Sequence, residues 1–268
     1  MKSVFFLGPY GNLTTLYGGI LSLHPEVIGL NHGRNDLPAS TKFFDGQEIQ
    51  RKHRNFQEFI RNQQSPFEDH HARWNGAFRE LEEIASYKTE KARMCMWKES
   101  GYLTTQIRVA NSMEKIIQEI PDVMFIRPIR NPIDCIQTHL RCAHYELYDD
   151  PVYGGMMKKI YLEKDQIDGA LPRYLCEWYA ADLKWYLSFL KKYPERFMIH
   201  FESDHYSNIT DFLGLETTAE WMEIANTLAH KIRQRPERLA LSFVLRKELL
   251  ANGDPVSYRI CEEFLSNV

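Results

Sequence analysis

Twice along this chain a short apolar run gives way to a tight loop bearing Gly or Pro, and then to a helical stretch. Val4-Phe-Phe-Leu7 leads into Gly8-Pro-Tyr-Gly-Asn-Leu-Thr-Thr15, and Val123-Met-Phe-Ile126 leads into Arg130-Asn-Pro-Ile-Asp-Cys-Ile-Gln-Thr138. A strand that hands over to a helix so quickly belongs to a parallel sheet, because parallel strands need a long crossover and the crossover is usually helical. The same handover points unpaired N–H groups and a positive dipole end at the sheet's carboxyl edge, a setting suited to an anion. Two such units suggest a ligand with two separated phosphates.

The order of elements extends this pattern. A strand is expected over about 3–7, a helix from Thr14 to Leu23 ended by His24-Pro25, and a short extended piece over Val27–Leu30. Met94–Trp97 reads as a strand ending in Lys98-Glu99-Ser100, followed by a helix over about 104–119, a strand over 123–127 and a helix from Asn131. Leu171, Leu175, Trp178, Trp185 and Phe189 recur at helical spacing as far as Tyr193, where Pro194 stops them. A strand at Phe197–Phe201, a helix at Ile209–Leu215 and a helical, charged C-terminal part complete the chain. The polar stretch 31–90, with a helix around Phe67–Tyr87, reads as an insertion on the substrate side. The fold predicted is α/β: one domain over 1–268, a central parallel sheet and helices on both faces. Ligands of such sheets lie beyond the carboxyl ends of the strands. Gly11, Lys98 and Arg130 all fall at that edge.

Composition narrows the function. With 268 residues and 44% hydrophobic content the chain can bury a full core without staples. A net charge of −3 argues against a nucleic-acid surface, so basic residues must act locally. The basic run Arg51–Arg54 reads as a solvated helix face. Five cysteines without a C-x-x-C pair fit reduced thiols. No apolar run approaches the ~18 residues of a membrane helix, and the apolar start is too short for a signal peptide. A cytoplasmic protein with no membrane partner is expected. His70-His71, His139 and His144 lack zinc-ligand spacing, so no metal is expected.

The first loop is not a Walker A motif, because it lacks Gly-Lys-Ser/Thr. It offers Gly8 and Gly11, which let backbone approach a phosphate, and the hydroxyls of Thr14 and Thr15. In the second segment Asn131 suits an N-cap, Pro132 the first helical position and Asp134 the third. None of this requires Arg130, whose guanidinium can grip a phosphate through two parallel bonds. Thr138, two turns into the helix, can add a hydroxyl. Lys98 sets a compact ammonium at a strand's carboxyl end, where negative charge developing in a reaction would be stabilised.

These segments resemble the two co-substrate loops of the sulfotransferase superfamily, which binds 3′-phosphoadenosine 5′-phosphosulfate (PAPS). That family carries a Pro-Arg/Lys-Ser-Gly-Thr-Thr loop, and an Arg-Asn/Asp-Pro-x-Asp segment with a Ser eight residues after the Arg. Arg130 and Thr138 match that spacing, with Thr for Ser. Leu23-His-Pro-Glu-Val27, Trp97-Lys98, Tyr193-Pro-Glu-Arg-Phe197 through Glu202, and Phe212-Leu-Gly-Leu215 resemble further family segments in the same order. The loop layout is closest to bacterial and tyrosylprotein-type members.

The resemblance implies a P-loop-like nucleotide-binding architecture and a PAPS-dependent transferase yielding the bisphosphate product PAP without a metal. The acceptor would be a hydroxyl of a small molecule, saccharide or peptide. By the same resemblance, Gly11, Asn12, Leu13, Thr14 and Thr15 would hold the 5′-phosphate, and Arg130 and Thr138 the 3′-phosphate. Lys98 would face the leaving oxygen. His32 stands where the tyrosylprotein branch has a Glu, and would be the base; Glu99 is the second candidate. The family's loop Arg/Lys falls at Gly11 and its Ser at Asn12, and Arg34 is one candidate to replace that basic side chain. No Arg-Lys-Gly…Gly-x-Trp stretch closes the C-terminus, where Arg246 or Arg259 could supply a late basic contact. Two alternatives stay open: a sulfotransferase-like protein that binds PAP or PAPS without turnover, and a nucleotide phosphotransferase.

Overall fold

A computed structural model describes residues 1–9, 11–31, 37–62, 91–98, 100–142, 170–229 and 239–266. Among these, five strands form one fully parallel sheet: β1 (Lys2–Phe6), β2 (Val27–Asn31), β3 (Met94–Lys98), β4 (Val123–Ile129) and β5 (Phe197–Phe201), in the spatial order β2-β3-β1-β4-β5. Ten α-helices accompany them among the described residues. They are α1 (Thr14–Ser22), α2 (Ile49–Arg61), α3 (Ser100–Val109), α4 (Met113–Glu119), α5 (Pro132–Cys142), α6 (Ala170–Lys192), α7 (Ser207–Leu213), α8 (Ala219–Ala229), α9 (Leu239–Asn252) and α10 (Pro255–Phe264). The protein is therefore α/β.

The two-residue alternation of strand side chains divides the core between the faces. Val4, Phe6, Met94, Met96, Met124 and Ile126 pack on one face with residues of α1, α7 and α8. Phe5, Cys95, Trp97, Val123, Phe125 and Phe197 pack on the other with residues of α2, α3, α4 and α6. A sheet covered on both sides explains why its central strands are almost wholly apolar. A third cluster joins α5, α6, α9 and α10 beside the ends of β4 and β5.

Crossover geometry explains which helix lies where. Right-handed connections that step in opposite directions along a sheet put their helices on opposite faces. The step from β1 to β2 runs one way, and its helix α1 lies on the first face. The steps β2 to β3, β3 to β4 and β4 to β5 all run the other way, and α2, α3, α4 and α6 lie on the second. The one reversal falls at β1. The chain leaving β1 and the chain leaving its neighbour β4 diverge to opposite faces, and a crevice at the carboxyl ends between them follows.

One expectation needs correction. The helix read over 104–119 is broken: α3 ends at Val109, Asn111 takes a left-handed φ of 48°, and α4 starts at Met113. Asn tolerates that conformation better than most residues and stops the helix there. The described part of the expected insertion over 31–90 packs inward as well. Leu37, Phe43, Phe44, Ile49, Phe56 and Ile60 are buried in the core against Phe5 and Trp97. The helix expected around Phe67–Tyr87 lies outside the described residues.

Candidate functional site

The site begins with how the chain leaves β1. Leu7 N–H still bonds Ile126 C=O (2.9 Å), continuing the sheet by one residue. Gly8 then turns at φ 130°, and the Thr104 hydroxyl of α3 clamps its peptide, accepting from Gly8 N–H (2.8 Å) and donating to Gly8 C=O (3.3 Å). Asn12, fully buried, donates through Nδ2 to the Pro128 carbonyl, which fastens the loop to β4. Leu13 starts α1 from a left-handed φ of 59°, with no side chain capping the helix. A bulky non-Gly residue held there costs on the order of 1–2 kcal/mol, a strain of the kind found where a loop is shaped for a ligand.

Gly11 lies between these ties at φ 81°. A Cβ built on it would come within 3.0 Å of Thr138 Cβ and 3.3 Å of Thr138 Oγ1. The first loop and α5 therefore meet directly at Gly11 and Thr138, and backbone shape and space both favour glycine. A basic loop side chain like the resembled family's would need the Thr138 side chain to give way at this position.

Two cations flank the loop instead. From β3, Lys98 is fully buried and its Nζ donates to Thr15 Oγ1 at 2.6 Å. From the end of β4, Arg130 donates through Nη1 to the Gly11 carbonyl (3.3 Å) and through Nη2 to Asp134 Oδ2 (2.5 Å). Arg130 Nε and Asp134 Oδ1 are buried without hydrogen-bond partners. The helix opening behaves as read: Asn131 Oδ1 accepts from Ile133 N–H at 2.9 Å, an N-cap that fixes where Arg130 leaves the strand. Thr138 Oγ1 donates to the Asp134 carbonyl at 2.7 Å.

The neighbouring strand end adds a carboxylate. Glu202 N–H bonds Ile129 C=O (2.8 Å), which sets Glu202 beside Arg130 one step past the Ile129–Phe201 register pair. Burial pushes the Glu202 carboxyl above its usual range; Arg130 pulls it back and Asp134 raises it again. Beyond it, Tyr17, Tyr206 and His200 form an aromatic cluster, with His200 ring centroids 5.1 Å from Tyr17 and 5.8 Å from Tyr206. Burial depresses His200 to about 4, and neither ring nitrogen has a hydrogen-bond partner.

The structure thus brings together Gly11, Asn12, Leu13, Thr14, Thr15, Lys98, Arg130 and Thr138 along the carboxyl ends of β1, β3 and β4. His32, Glu99 and Arg34 lie outside the described residues. Arg259 pairs with Asp204 (2.6 Å) and Glu263 (2.6 Å), and Arg246 Nη1 donates to the Leu265 carbonyl (3.3 Å).

Sequence reading missed three contributors. Thr104 left no signal in the sequence. Asp134, read there as a helix-start residue, also holds Arg130 four residues earlier. Arg127 sits fully buried in an apolar strand with Nη1 on Asp182 Oδ2 (2.5 Å), and a charge inside such a run was the available sign of a buried ion pair. Among the described residues no group of three His, Cys, Asp or Glu side chains could hold a metal ion, and no helix is long and apolar enough to cross a membrane. No protein-family model and no curated protein matches the chain.

Proposed function

We propose that this chain moves a sulfuryl group from PAPS to a hydroxyl of a small molecule, a saccharide or a peptide. One observation carries the reading: Gly11 meets Thr138 and Arg130 while Lys98 reaches Thr15, so the segments that resemble the two co-substrate loops converge where the connections between strands change their direction along the sheet. PAPS supplies an activated sulfuryl group with a good leaving phosphate. The backbone of Gly11–Thr15 and the start of α1 suit its 5′ end, and Arg130 with Thr138 suits the 3′-phosphate. Lys98, desolvated at the strand end, is suited to stabilise charge on the leaving oxygen, since fixed donors in a water-poor setting act strongly. Positioning and charge stabilisation carry most of such a transfer, as in phosphoryl transfer. His32 is the base this reading assigns.

A second reading rests on Gly11. With no basic side chain at that loop position, the chain would bind PAP or PAPS and transfer nothing. Turnover of labelled PAPS across a broad hydroxyl panel decides between them. Sulfated product, reduced on the order of 100- to 1,000-fold by Lys98→Ala with bisphosphate binding retained, supports the enzyme. Tight bisphosphate binding with no product from any acceptor supports the binder. Preference for ATP or GTP over the bisphosphate would overturn both.

A further inference from the structure

The chain leaves β1 through a glycine whose shape is set from another element. Glycine permits the φ of 130° found at Gly8 but does nothing to hold it there. The Thr104 hydroxyl supplies that hold. It accepts from Gly8 N–H at 2.8 Å and donates to Gly8 C=O at 3.3 Å, so one buried group satisfies both sides of the residue. A Cβ built on Gly8 would lie 3.7 Å from Arg127 Cγ and 3.4 Å from Asn12 Nδ2, so Gly8 packs against the Arg127 stem of β4. Thr104 is itself seated by charge. Arg108, one turn further along the same face of α3, donates to Asp182 Oδ1 at 3.2 Å. Arg127 donates to the other oxygen, Asp182 Oδ2, at 2.5 Å. Arg127 and Asp182 are 0% and 2% exposed, so water screens their pair weakly. One carboxylate of α6 thus ties α3 to the strand against which Gly8 packs.

We propose that Thr104 is a positioning residue for the first loop. Acting from α3, it fixes the Gly8 peptide and so presets the Gly11–Thr15 backbone for the 5′-phosphate of a nucleotide. The inference rests on the reading that this loop receives that phosphate. Two further ties follow in the loop, Asn12 N–H to the Pro9 carbonyl (3.3 Å) and Asn12 Nδ2 to the Pro128 carbonyl. Both come after Gly8, and neither sets the direction in which the chain leaves the strand. A preset loop loses little freedom on binding. A loop that holds its competent shape only part of the time has its affinity reduced by that fraction. Arg130 is aimed instead by the Asn131 cap and by Asp134, so the grip on a 3′-phosphate does not depend on Thr104.

The test is calorimetry on the full chain with two probes, adenosine 3′,5′-bisphosphate and adenosine 3′-monophosphate. They differ only in the 5′-phosphate, and the ratio of their affinities reports the grip of the first loop. In the wild type the bisphosphate should bind the tighter. Thr104→Val keeps the side chain's shape and removes both hydrogen bonds. It should narrow the ratio on the order of tenfold, the scale of buried backbone groups left without a partner, with the monophosphate nearly unaffected. Thr104→Ser returns the hydroxyl and should restore the ratio. Arg108→Gln unties α3 from Asp182 with the hydroxyl kept, and should narrow the ratio about two- to threefold. It decides the matter if Thr104→Val does not fold. A wild-type ratio in Thr104→Val, or in Arg108→Gln where only that variant folds, overturns the positioning role and keeps the nucleotide site. Equal weakening of both probes shows a purely structural residue and overturns it as well. A wild type that binds neither probe, or both alike, refutes the first loop as a phosphate site, and the positioning role falls with it.

Discussion

Gly11 shows how one side chain's absence shapes the site. Its φ of 81° and the 3.0 Å approach to Thr138 make a Cβ strained and tightly packed there. Gly11→Ala should therefore cost about 1–3 kcal/mol of stability and loosen the loop from α5. Chemical denaturation reads the first effect, and a native-like midpoint would show that the loop yields easily. Lys98 and Arg130 were legible in the sequence because each ends an apolar strand. Their partners were less so: Thr15 faces Lys98 across 83 residues, and only the sheet order makes them neighbours. Glu202 had the same problem, since its proximity to Arg130 depends on the parallel register of β4 and β5.

At the scale of elements, strand–helix alternation revealed the parallel sheet, and Pro25 and Pro194 marked where α1 and α6 end. What alternation cannot reveal is strand order. The placement of β3 between β2 and β1 depends on close backbone packing at Gly29, where an added Cβ would fall 2.9 Å from Met96 Cβ and well inside contact distance of the Met96 carbonyl. Gly29→Ala should push β2 off β3 and cost several kcal/mol, the scale of overpacking combined with lost ladder bonds. Loss of protection confined to Val27–Asn31 in hydrogen exchange would locate the damage, and an unperturbed β2 would refute it. The α10 start is a milder case. Asp254 Oδ1 accepts from Ser257 N–H (2.8 Å) with Pro255 in the first turn, so Asp254→Ala should cost about 1 kcal/mol, measured as a shift in the denaturation midpoint.

At the scale of the whole molecule, burial lowers three imidazoles among the described residues, those of His24, His53 and His200, and they contribute to acid stability. His53 on α2 bonds Ser3 Oγ at 2.6 Å under the amino end of the sheet, and His200 lies in the aromatic cluster near the carboxyl end. Burial depresses both to about 4. The unfolded chain then binds more protons than the folded one between the ordinary His range near 6.5 and about 4. Stability is fully present above that range and declines as pH falls through it, by on the order of 2–3 kcal/mol for each of His53 and His200. His200→Phe should remove about one proton from the pH dependence of unfolding, and an unchanged slope would contradict this account. These histidines read as unremarkable in the sequence, since nothing local tells a buried imidazole from a solvated one.

The account stands on two separate turns of one sheet forming a single site for a doubly phosphorylated nucleotide. Calorimetric titration of adenosine 3′,5′-bisphosphate into the wild type and Arg130→Ala tests that claim most directly. Saturable binding, weakened by about 1.5–3 kcal/mol in the variant, is the predicted result, matching the loss of a charge-assisted hydrogen bond. Equal affinity in the two proteins, or no binding by the wild type, would contradict it.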